Sequence, residues 1–149
     1  MKLLTLNTHS LAEPDYEAKR EIFVNFIAAQ QPEVFALQEV NQTAAAPLLG
    51  DAPAGYTPCP GNAVPLKADN HAAAVASMLQ KRGVHYHWSW LPAKIGYDKY
   101  DEGMAVFSRA PITAAENLLL SKTSDYRCWK TRRALGICAG DVWYYTVHL

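Results

Sequence analysis

Two short apolar runs bracket one helix-length segment, and this arrangement leaves few folds open to the chain. The runs are Lys2-Leu3-Leu4-Thr5-Leu6 and Val34-Phe35-Ala36-Leu37-Gln38, whose length and composition read as buried strands. Between them, from Tyr16 to Gln31, Ile22, Phe23, Phe26 and Ile27 recur at helical spacing, with Glu17, Lys19, Arg20 and Glu21 toward the opposite face. Asp15 precedes this segment as an N-cap, Pro32 ends it, and the second strand starts at once. A β-α-β unit of this kind pairs its strands in parallel, which makes an α/β fold the expectation. It also brings the residues that close the two runs, Asn7 and Glu39, to one rim. A third run, Val142 to Val147, closes on His148. Strand ends are where α/β proteins assemble their sites.

The rest of the chain is read from its punctuation. Residues 41–69 hold Pro47, Pro53, Pro58, Pro60 and Pro65 with Gly50, Gly55 and Gly61, a long loop with a short helix expected near Thr43–Leu49. A second helix is predicted from Asp69 or Asn70 to Arg82, with Val75, Met78 and Leu79 facing inward and Gly83 as its stop. Strands are expected over Val84–Leu91, Met104–Ser108 and Ile112–Leu120. A hairpin of Trp129–Cys138 with Val142–Leu149 turns at Ala139-Gly140-Asp141.

The formal net charge is zero, so no global field steers a polyanion, and a nucleic-acid partner would need a local basic patch. One such cluster is Lys122, Arg127, Lys130, Arg132 and Arg133, beside Tyr126 and Trp129. Cys59, Cys128 and Cys138 are odd in number without metal-type spacing, which reads as reduced thiols in a cytoplasmic protein. No segment has the pattern of a signal peptide or the roughly 18 apolar residues of a membrane span.

An amide, a carboxylate and an imidazole at one rim suit metal-assisted attack on phosphate. Four segments in order sharpen that reading: Leu4-Thr5-Leu6-Asn7-Thr8-His9-Ser10, Ala36-Leu37-Gln38-Glu39-Val40-Asn41, Asp101-Glu102-Gly103-Met104-Ala105-Val106-Phe107-Ser108-Arg109 and Tyr145-Thr146-Val147-His148-Leu149. Together they resemble the endonuclease/exonuclease/phosphatase superfamily of metal-dependent phosphoesterases, of the deoxyribonuclease-like and neutral sphingomyelinase-like kind. The resemblance implies a four-layer αββα sandwich, of which residues 1–149 supply about the first half. It implies that Glu39 binds a catalytic Mg²⁺, with Mn²⁺ as substitute, and that Asn7 sits beside the metal. It further implies that His148 contacts the scissile phosphate, whereas the abasic-site branch usually has a tyrosine there.

Glu102 opens an apolar run and His148 closes one, so antiparallel neighbours would pair them, the carboxylate fixing the imidazole; Asp101 is the alternative. His9 and Arg133 are candidate substrate contacts, Asn41 and Asn70 weaker ones; His71, His85 and His87 read as ordinary residues. The family's Asp-x-Asn and terminal Asp-His, which orient and activate the attacking group, have no counterpart in the sequence. The expectation is therefore a cut domain that exposes an apolar sheet face and pairs with its C-terminal half or a complementary chain. The substrate would be a phosphodiester or phosphomonoester, in nucleic acid, a lipid headgroup or a sugar phosphate. The rival readings are a non-catalytic binding module or degenerate remnant, and a flavodoxin-like domain. The latter lacks a glycine-rich loop after the first strand, where Asn7-Thr8-His9-Ser10 stands instead.

Overall fold

The computed structural model describes residues 1–149. Strand β1 (Leu3–Asn7) runs parallel to β2 (Val34–Thr43), with Leu3 opposite Val34 and Asn7 opposite Gln38. Helix α1 (Tyr16–Gln30) makes the crossover. Its buried stripe is the expected one only at Phe23 and Ile27. Val24 and Ile27 are fully buried and Phe23 packs edge-on against Phe35, while Ile22 and Phe26 face outward. Apolar residues are dense enough here to give two stripes about one position apart, and packing on the sheet selects one. Arg20 consequently turns inward, its guanidinium over the Tyr16 ring. Asp15 occupies the N-cap position, but its backbone is left-handed (φ 55°) and its side chain makes no capping bond. An extended backbone is what aims a capping oxygen at the first free N–H groups. Here the Asp15 carbonyl accepts from the Lys19 N–H instead.

Helix α2 (His71–Lys81) starts where predicted, with the Asn70 side chain accepting from the Ala73 N–H at 3.0 Å. No helix forms over 43–49. β2 runs on to Thr43, because its backbone stays in register with β4 after Glu39 and Asn41 and Gln42 are buried. Strands β3 (His87–Gly96) and β4 (Tyr100–Ser108) likewise extend beyond their apolar stretches, and form a hairpin around Tyr97-Asp98-Lys99. Then come β5 (Ile112–Leu119), β6 (Arg133–Ala139) and β7 (Val142–Val147). The β6–β7 turn is the two residues Gly140-Asp141, both at positive φ, as a tight hairpin requires. Residues 129–132, expected to be strand, belong to the loop before β6.

The first sheet has the order β1-β2-β4-β3 and the second β5-β6-β7. Phe35, Leu37, Trp88, Trp90, Ala105 and Phe107 face α1 and α2. Alternate residues of the same strands, Val34, Leu91, Met104 and Val106, face Leu135 and Ile137 of the second sheet, with Cys59 at the margin. This chain thus forms a helical layer and two packed sheets. Beyond the second sheet, Trp143, Tyr145 and Val147 are 41–48% exposed, and on edge strand β1 Leu3 is 60% exposed. Between those edges lies an open, mostly apolar groove of about 570 Å³ lined by Leu3, Val34, Ala36, Val106, Trp143 and Tyr144 among others. No helix is long and apolar enough to cross a membrane.

Candidate active site

Glu39 does not end its strand. It is an extra residue within β2: pairing with β4 jumps from Gln38↔Met104 to Val40↔Gly103, and Glu39 sits at φ 52°. A bulge leaves one residue unpaired and re-aims its side chain, and a left-handed non-glycine costs about 1–3 kcal/mol that its surroundings must offset. Buried Ser10 does much of this. Its hydroxyl donates to the Glu39 carbonyl at 2.7 Å and accepts from the Asn41 N–H at 3.0 Å. The Trp90 indole N–H donates to the Val40 carbonyl at 3.0 Å. A second irregularity, between Pro92 and Lys94 of β3, faces the same point of β4 from the other side. Gly103 stands between them, where an added Cβ would lie 2.3 Å from the Leu91 carbonyl oxygen.

Asn7 is level with Gln38, so β1 and β2 deliver Asn7 and Glu39 to one rim. The Asn7 Oδ1 accepts from the His9 N–H at 3.1 Å. His148 arrives from the second sheet, its Nε2 3.6 Å from Glu39 Oε1. Gln38 makes that approach possible: its amide donates to Thr5 Oγ1 at 3.0 Å and to Thr146 Oγ1 at 2.8 Å, tying β7 across to β1 and β2.

The expected pairing of His148 with Glu102 is corrected. β4 and β7 belong to different sheets, so they are not antiparallel neighbours. Glu102 faces Asn41 and Lys94 across its own sheet, and its carboxylate lies 3.5 Å from Lys94 Nζ. Glu102 and His148 do line one narrow cleft together with Lys94, Thr131, Arg132 and Arg133. Asp101 is no substitute. Its two oxygens accept from Gln42 Nε2 (2.9 Å) and the Tyr126 hydroxyl (2.8 Å), and burial beside that carboxylate pushes the phenol strongly up. Arg133 borders the cleft, but its guanidinium donates to Asn117 on β5 at 2.9 Å. Asn70, besides capping α2, donates to Gln42 Oε1 at 2.9 Å.

His9 is engaged at both ring nitrogens, by Glu13 Oε2 at 2.7 Å and the Tyr97 hydroxyl at 3.0 Å. Tyr97 thereby joins the loop after β1 to the tip of the β3–β4 hairpin. Its phenol is held above its ordinary value, by desolvation first and by Glu39 and Glu102 next. Sequence reasoning missed Ser10, Gln38, Lys94 and Tyr97, which act through contacts made far along the chain; only Gln38, inside the Gln-Glu pair, carried a signal.

The donors suit a hard divalent cation. No three His, Cys, Asp or Glu side chains converge as a cage. β1 and β2 instead bring Asn7 and Glu39 to one rim, and Asn41, two residues beyond Glu39, is fully buried with both its amide atoms unpartnered. A few oxygen donors with room for retained water is how Mg²⁺ is commonly held.

A helical layer against two packed sheets, with polar residues gathered at one rim, defines an α/β sandwich. The sequence pattern of the Endonuclease/Exonuclease/phosphatase family matches residues 4–145, and the chain belongs to that family. Members of the family are hydrolases and generally use divalent metal ions. An endonuclease/exonuclease/phosphatase family protein from Leptotrichia buccalis is similar over the whole chain, at 28% identity and a TM-score of 0.86, and the match covers 53% of that protein. A Beutenbergia cavernae endonuclease/exonuclease/phosphatase is 20% identical with a TM-score of 0.62, over 99% of this chain and 37% of its own. The Neisseria 3' phosphatase NExo, solved with a product DNA hairpin, shares the fold at 19% identity and a TM-score of 0.53, over 99% of this chain and 41% of its own. The chain therefore spans about half the length, or less, of these structures. No curated protein sequence matches it.

Proposed function

We propose that this chain carries the metal-binding side of a divalent-metal-dependent phosphoesterase that hydrolyses a phosphodiester or phosphomonoester. The observation that carries the reading is Glu39, raised out of the β2 ladder at φ 52° and facing the His148 imidazole at 3.6 Å. Glu39 with Asn7 would hold the metal, Mg²⁺ or in its place Mn²⁺. A bound cation there supplies charge neutralisation at the phosphoryl oxygens. His148 donates to the same phosphate and Asn41 presents its buried amide, so that donors preorganised around developing charge carry the stabilisation. The Lys94 ammonium, 3.5 Å from the Glu102 carboxylate, holds it in place at the cleft.

The groups that activate the attacking water come, in this reading, from the second half of the sandwich. That half is a C-terminal continuation or a complementary chain, seated on the groove between β1 and β7. The coverage of only 53% of the Leptotrichia protein supports this, as do the exposed apolar edges. The three free thiols favour a cytoplasmic setting.

The test is Glu39→Gln in the full natural polypeptide, read as hydrolysis of bis(p-nitrophenyl) phosphate and p-nitrophenyl phosphate against Mg²⁺ and Mn²⁺. Loss of turnover by about 10²-fold or more, on the scale of one lost electrostatic stabiliser, is expected. Metal-dependent hydrolysis at the wild-type rate would refute the assignment.

A further inference from the structure

The loop between β5 and β6 concentrates charge that the rest of the chain balances. From 120 to 133 there are five cations, Lys122, Arg127, Lys130, Arg132 and Arg133, and one carboxylate, Asp125. None of the five forms an ion pair, and of the nine Lys and Arg elsewhere only Lys19, Arg82 and Lys94 do. Asp125 is turned onto its own loop, its Oδ1 accepting from the Arg127 N–H at 3.0 Å. Trp129 is 66% exposed at the tip, although Trp88 and Trp90 are fully buried, and Lys130 Nζ lies 5.5 Å from the centre of its ring.

This loop is anchored to the site. Lys94 Nζ donates to the Trp129 carbonyl at 3.2 Å, and the Ile95 N–H to the Tyr126 carbonyl at 2.9 Å. Thr131, fully buried, closes the loop on itself through the Asp125 carbonyl. Its last residues, Thr131 and Arg132, line the cleft that holds Glu102 and His148. A track of cations without ion-pair partners thus leads outward from the cleft to an exposed aromatic face on an anchored backbone.

We propose that residues 122–133 form a docking platform for single-stranded nucleic acid. One unpaired base stacks on Trp129, and Arg127, Lys130 and Lys122 take the flanking phosphates. Resting on the phosphoesterase reading above, this makes the substrate a single-stranded polynucleotide and not a small phosphate ester. A stacking face beside unpaired cations is how proteins hold single strands without sequence preference, whereas a duplex hides its base faces. A membrane anchor would need an apolar face, and Trp129 stands here among Ser124, Asp125, Arg127 and Lys130.

The test is anisotropy of fluorescein-labelled (dT)₁₂ with the full natural polypeptide, in EDTA, across a salt series. Trp129→Ala should weaken binding by roughly 5- to 150-fold, the range of one base–aromatic stack, with little change in the salt slope. Replacing Arg127 and Lys130 by Ala should reduce the slope of log K against log salt by about 1.4. Both variants should keep wild-type hydrolysis of bis(p-nitrophenyl) phosphate. Unchanged (dT)₁₂ binding in both variants would overturn the proposal, as would tighter binding of a blunt duplex or of phosphatidylserine vesicles. Loss of small-ester hydrolysis in step with binding would overturn it too, reducing the loop to a structural wall. If (dT)₁₂ binds through Trp129 but no ester is hydrolysed, the platform stands and the phosphoesterase reading fails.

Discussion

Acid should unfold this protein first through one histidine. His71 opens α2 inside a buried cluster: its Nδ1 accepts the Tyr16 hydroxyl at 2.7 Å, and Arg20 adds a nearby positive charge. Burial, and then Arg20, push its pKa from 6.5 down to about 3. The folded state keeps the imidazole neutral where the unfolded chain protonates it. The unfolded state therefore binds more protons between those two values, and stability must fall as pH drops from about 6.5 toward 3. At pH 5, about 1.5 pH units below the unfolded value, the loss works out to about 2 kcal/mol. Urea unfolding at pH 7.5 and pH 5 measures it, a window that stays above most carboxylate titration. His71→Asn, which keeps an acceptor for Tyr16 but does not titrate, should lose about 2 kcal/mol less than wild type over the same interval. Parallel losses in the two proteins would refute the neutral, buried assignment.

Two further perturbations probe the bulge. Ser10→Ala strips partners from the Glu39 carbonyl and the Asn41 N–H in a buried setting. It should cost about 2–4 kcal/mol in chemical denaturation and lower metal-dependent turnover, and Ser10→Thr should recover part of both. Gly103→Ala drives a methyl into the Leu91 backbone, and because backbone cannot swing aside the expected loss is about 3 kcal/mol, read as a lowered thermal midpoint.

The β-α-β opening was legible because its apolar runs, Pro32 and a helix-length spacer are all local. The polar residues that close its two apolar runs, Asn7 and Glu39, were legible for the same reason. The continuation of β2 through Asn41, Gln42 and Thr43 was not. Polar residues read as loop, yet Gln42 is fully buried because Asp101, Asn70, Lys67 and Pro65 satisfy it, and those partners lie 23 to 59 residues away. Asp101-Glu102-Gly103 misread for the same reason. The His148–Glu102 pairing failed because a single-sheet argument was applied to strands that close into two sheets. Glu39 was found as a residue but not as a bulge, since a glutamate in left-handed backbone has no sequence signature.

That bulge also stands outside the alternation of its strand. Before it, Phe35 and Leu37 feed the helical side and Gln38 the sandwich; after it, Val40 falls on the helical side and Asn41 aligns with Glu102. The odd residue belongs to neither series. Neither substituting Glu39 nor deleting it therefore changes either hydrophobic pattern, because without it Gln38 and Val40 would alternate as ordinary neighbours opposite Met104 and Gly103. The alternation of β2 can do without this position, so its presence serves the rim and not the packing.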